Sequence, residues 1–223
     1  MLDWSPIILT LQLALITTVI LLVISIPLAY WMANTNSRIK SIIEAIVSLP
    51  LVLPPTVLGF YLLIAFSPES AIGSFLNDVF GLKLAFSFSG LVIGSIIYSL
   101  PFMVQPLQAG FASLPSSLSE ASFVLGKSKY QTITKVLIPN IKKSILTGIV
   151  LTFAHTVGEF GVVLMIGGNI PNQTKVVSIA IYDEVESLNY STAHVYSGIL
   201  LAVTFAILLL VYINNNRSNK FSR

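Results

Sequence analysis

Apolar residues fall in five long blocks, at about 7–33, 42–66, 86–112, 145–167 and 190–213, with shorter polar stretches between them. A helix needs roughly 20 mostly apolar residues to cross the hydrocarbon core of a bilayer. The pattern therefore predicts an all-α integral membrane protein with five transmembrane helices, forming one domain over 1–223. The first block is too long for a cleavable signal peptide and lacks a basic start, so it reads as a retained span. Trp4 at one end, and Tyr30 and Trp31 at the other, suit an interfacial aromatic belt.

Composition agrees. Of the 223 residues, 55% are hydrophobic and 9% charged, against about a quarter charged in a soluble domain. With no cysteine, disulfides, thiolate metal sites and thiol nucleophiles are excluded.

Charge placement predicts orientation. Ten of the twelve Lys and Arg residues lie in three segments that an odd number of spans puts on one side. These are Arg38 and Lys40; Lys127, Lys129, Lys135, Lys142 and Lys143; and the tail with Arg217, Lys220 and Arg223. Basic residues favour cytoplasmic loops, which predicts an external N-terminus and a cytoplasmic C-terminus. On the outer side, Val177, Ile181, Val185 and Leu188 recur at helical spacing opposite Asp183 and Glu186, predicting a short surface helix.

Three spans carry features that a passive membrane helix does not need. The second holds Pro50, Pro54 and Pro55, followed by Thr56 and Gly59. Each proline lacks an N–H and clashes with the preceding turn, so a kink or break is expected. Irregular backbone at membrane depth survives only inside protein or beside water, which points to a translocation path or gate. The third span adds Pro101 and Pro106, the latter flanked by Gln105 and Gln108. The fourth places His155 and Glu159 one helical turn apart in HTVGEFG. A proton relay, a pivot at a gate and a satisfied buried pair packed beside Gly158 and Gly161 all remain open. Two ligands are too few for a metal site, and no paired acids or nucleophile beside a base suggest catalysis; the expectation is no catalytic residue and no metal.

The most specific stretch lies between the third and fourth spans, LPSSLSEASFVLGKSKYQTITKVLIP at 114–139. Ser117 with Glu120, and Ser128 with Gln131, have capping-box spacing, and Gly126 stands where a first short helix should end. Helix, glycine turn, helix is predicted. ASFVLGKS fits a loose nucleotide-binding pattern, but bulky residues replace the glycines, a helix precedes it and no acidic strand follows. A DNA-reading helix-turn-helix is excluded because a loop held between two spans cannot enter a major groove, so no nucleic acid is expected. Docking to a partner remains.

Here Glu120-Ala121-Ser122, then Gly126, then Ile138-Pro139 resembles the EAA loop of ABC importer permeases. Ser122 stands in place of the alanine at the motif's third position, and Leu137-Ile138-Pro139 departs mildly from the usual ending. With LPLVLPPTVLGFYLL and GEFGVVLMIGGNIPNQTKVVSIAIYDEVE, nearly the whole chain is similar to molybdate ABC transporter permeases; tungstate or sulfate are the alternative substrates. The resemblance implies a type I permease fold with a cytoplasmic coupling loop, in a bacterial or archaeal inner membrane. It implies a homodimer with two cytoplasmic ATPase subunits, which use ATP and Mg, and an external molybdate-binding protein, with no cofactor bound by this chain. A proton-driven secondary transporter using Glu159 and His155 is the rival from another class.

Overall fold

The structure, a computed structural model, describes residues 2–220, and in the last helix side chains only as far as Leu209 and at Ile213. All regular structure among these residues is helical. Three helices are long and apolar enough to span a membrane: α1 (Ser5–Asn34), α5 (Phe88–Ala112) and α12 (Tyr190–Lys220). Arg223 lies outside the described residues, as do the side chains of Arg217 and Lys220.

The second apolar block is two helices, α2 (Ile39–Val52) and α3 (Pro55–Phe66), bent by 113°. The break falls at Leu53–Pro54, both extended. Pro55 takes the first turn of α3, where its missing N–H costs nothing. Pro50 does not contribute: it sits buried inside α2 and the helix continues through it. A short helix that the apolar pattern did not flag, α4 (Ala71–Phe80), follows α3, capped by the Ser70 hydroxyl and closed by Gly81 at φ +65°.

After α5 come α6 (Ser116–Val124), α7 (Lys129–Thr132), a π-helical turn (Ile133–Leu137) and α8 (Ile138–Asn140). The π turn ends two residues before Pro139, whose ring excludes the ordinary hydrogen bond to the preceding turn. At Ile141 the chain bends by 74° into α9 (Lys142–Gly158). The fourth block also departs from expectation: α9 stops at Gly158, and α10 (Gly161–Gly167) follows a break at Glu159–Phe160. The short helix expected before the last span is α11 (Val177–Glu186). Its buried side is Val177, Ile179 and Ala180, while Val185 and Leu188 are exposed. The predicted face was rotated, because α11 packs on α1 and α12 together rather than on a flat membrane surface.

Helix α1 packs along α5 and α9, and α10 sits between α3 and α5. One apolar cluster, with Leu13, Leu62, Leu91 and Ile166, fills the end near α4 and α11. A second, with Leu21, Met32, Val104, Leu107 and Leu137, fills the end near α6 and α7. The solvation is inverted relative to a water-soluble protein. Ser25, Ser95, Ser99 and Thr152 are fully buried, while Leu15, Val23, Leu201 and Phe205 are 60%, 68%, 73% and 63% exposed. A surface of this kind is stable only against lipid or another apolar partner.

Candidate functional site

The loop between α5 and α9 has the predicted shape. Helix α6 ends at Leu125, and Gly126 follows in the left-handed region at φ +74°. The Gly126 N–H bonds the Phe123 carbonyl at 2.9 Å and the Lys127 N–H bonds the Ser122 carbonyl at 3.1 Å, the paired closure of a Schellman motif. Helix α7 opens with the expected capping box, in which the Ser128 hydroxyl accepts from the Gln131 N–H and the Gln131 side chain accepts from the Ser128 N–H. The other capping box is absent. Pro115 sets the start of α6, which leaves Ser117 inside the first turn with helical backbone and unable to serve as the cap. Glu120 and Ala121 are exposed, Ser122 is buried, and Pro139 is exposed on α8. Around the turn, Val124, Leu125 and Tyr130 are 87%, 76% and 76% exposed. This apolar patch on an otherwise polar loop was not singled out from the sequence, though the run FVL signals it.

The second group of residues surrounds the two helix breaks. A cavity of about 540 Å³ lies between them, lined among others by Pro55, Thr56, Tyr98, His155, Gly158 and Glu159. The breaks touch: a Cβ added at Gly161 would stand 2.7 Å from the Pro55 Cβ, so only glycine permits this approach. Nothing lies within 4 Å of a Cβ at Gly158, which borders the cavity instead of packing a helix. Pro54 and Thr56 are exposed, and Pro50 stands away from the cavity lining.

His155 and Glu159 do not share a helical face, because Glu159 caps α9 with extended backbone (ψ 136°). The Nδ1 of His155 meets the Ser99 hydroxyl at 3.0 Å, and its ring stacks on Phe102 with centroids 4.0 Å apart. Glu159 is 5% exposed, its Oε2 accepts from the Ser95 hydroxyl at 3.2 Å, and its Oε1 has no partner. The two acid–base side chains thus hang from serines one turn apart on α5 and both border the cavity. Gln108 donates to the Glu44 carboxylate at 2.6 Å and Gln105 to Ser48 at 3.3 Å, tying α5 to α2. The sequence had marked the glutamines but not their partners.

Residues 25–216 match the family of binding-protein-dependent transport system inner membrane components. The chain belongs to that family. Among its relatives, this transport-system component is 48% identical over 211 residues to the molybdenum transport system permease protein ModB of Azotobacter vinelandii, covering 94% of this chain and 93% of that one. It is 35% identical over 172 residues to the sulfate transport system permease protein CysT of a Synechocystis strain, covering 77% of this chain and 60% of that one. Its fold is similar to that of a bacterial ABC transporter involved in alginate import, with a TM-score of 0.79 and 19% identity over 96% of this chain and 78% of that one. The MetNI methionine ABC transporter is similar at a TM-score of 0.71 and 17% identity, over 92% and 91%. The component is therefore an all-helical transport subunit with the fold of ABC importer permeases.

Proposed function

We propose that this chain is the pathway-forming subunit of an ATP-driven importer of molybdate. The observation that carries the substrate is the 48% identity to the A. vinelandii molybdenum permease across 94% of the chain. The bent pair α2–α3 makes one crossing and the broken pair α9–α10 another, so the chain spans the inner membrane five times as a single domain over 1–223, N-terminus outside and C-terminus in the cytoplasm. Pro54, Pro55 and Thr56 stand exposed at membrane depth on one protomer, and broken backbone there needs protein or a wet cavity beside it. A second copy of the chain supplies that cover, and the anion passes along the two-fold axis past Thr56, His155 and Glu159. Few cations lie in the spans, so the path holds the anion weakly and an external binding protein sets selectivity.

Two ATPase subunits dock on the exposed patch at Glu120, Ala121, Val124 and Leu125 and hydrolyse Mg-ATP; this chain supplies no catalytic residue. Gly126 and the Ser128 cap fix the angle at which α6 passes motion to α9. The test is ATP-dependent uptake of radiolabelled molybdate into proteoliposomes holding the chain, its ATPase and its binding protein. Uptake without ATP, or by the chain alone, would sink the reading. The sulfate-permease similarity favours one second reading, sulfate as substrate; excess sulfate that abolishes molybdate uptake while excess tungstate does not would establish it.

A further inference from the structure

The break between α9 and α10 frees the carbonyl of Glu159, which in a continuous helix would accept from the N–H four residues on. A side chain on a different element takes that place. Ser178, half-buried on α11, donates its hydroxyl to the Glu159 carbonyl at 2.6 Å. One turn further along α11, the Tyr182 ring packs on Phe160, the other residue of the break, with centroids 5.1 Å apart. Residues four apart share a helix face, so one face of α11 grips both residues of the break.

Towards its C-terminal end the same face of α11 looks outward. Tyr182 is itself 42% exposed, Val185 is 42% exposed, and Glu186 is exposed beside them. The element is also braced. Thr10 of α1 accepts from the Val177 N–H at 2.8 Å, and Lys175 pairs with Asp183 at 2.6 Å. A load on the exposed face therefore moves α11 as a unit, and the contacts nearest the cavity are Ser178 and Tyr182.

We infer that Ser178 is a positioning residue that transmits docking on the exposed face of α11 to the Glu159–Phe160 break, and so to the pathway. The inference rests on the importer reading above, with the external binding protein as the docking partner. Among the described residues no other side-chain hydroxyl of α11 bonds the break, so losing this bond weakens the link from docking to opening without touching the ATPase loop.

The test measures ATP hydrolysis by the reconstituted complex with and without the molybdate-loaded binding protein, for the wild type, Ser178→Ala and Ser178→Thr. The expected result is at least a five-fold drop in stimulation for Ser178→Ala, unchanged unstimulated hydrolysis, and recovery in Ser178→Thr, which keeps the hydroxyl. If the alanine variant fails to assemble, Ser178→Cys fills the same space with a poor donor and makes the same comparison. Wild-type stimulation in the alanine variant, equal loss of stimulated and unstimulated hydrolysis, or a threonine variant no better than alanine would each overturn the inference. Absence of stimulation in the wild type would overturn the importer reading instead.

Discussion

Ser122 and Thr132 join hydroxyls at 2.8 Å across the Gly126 turn, both buried and ten residues apart. They bind α6 to the end of α7 and so stiffen the element that meets the ATPase in the proposed function. Ser122 is the position where the loop departs from the alanine of the pattern it resembles. The departure adds a bond and costs no space.

Ser122→Ala is therefore expected to be mild. Thr132 keeps its second bond, to the Ser128 carbonyl at 3.0 Å, and a neutral hydrogen bond contributes about 1 kcal/mol net. A small drop in the melting temperature of the purified protein and uptake within about two-fold of wild type are expected. Loss of ATPase retention in this variant would show the hydroxyl pair to be essential.

Gly126 tests the turn. Its surroundings are open, with nothing within 4 Å of an added Cβ, so Gly126→Ala meets only the left-handed backbone, at roughly 1–2 kcal/mol. Gly126→Pro cannot adopt a positive φ and loses the N–H bonded to Phe123. Gly126→Pro and Glu120→Lys should both insert normally in the membrane yet fail to co-purify the ATPase, whereas Gly126→Ala should retain most of it.

At Glu159 the importer and the proton-driven rival diverge. Glu159→Gln keeps the shape and the Ser95 contact while removing the ionisable group. ATP-driven uptake should persist in that variant, close to the wild-type rate between pH 6 and 8. Abolished uptake with intact ATP hydrolysis would favour proton coupling.

Gly161→Ala should damage the contact of the two breaks. The new methyl would meet the Pro55 Cβ at 2.7 Å, and relieving such overpacking costs about 1–3 kcal/mol. A lower melting temperature is expected, together with altered uptake. Gly158→Ala, where the space is open, serves as the control and should melt closer to wild type.

Local chemistry by itself determined a good part of this molecule. Five apolar blocks, the Gly126 turn and the Ser128–Gln131 cap follow from residues within a few positions of one another, because transfer to lipid, left-handed backbone and capping are local effects. Pro54 and Pro55 announced their break for the same reason. Tertiary structure decided the rest. The break at Glu159 has no proline to signal it, and Ser95, Ser178 and the Pro55–Gly161 contact that surround it come from three other elements. His155 and Glu159 matched helical spacing but were drawn to separate serines on α5. The inward face of α11 was set by Thr10 and the packing of α1 and α12, not by its own apolar period. In a chain that exposes many large apolar side chains, hydrophobicity says which segments enter the membrane but not which side of each faces protein. That choice belongs to small and hydroxyl-bearing residues, whose partners lie far away in sequence.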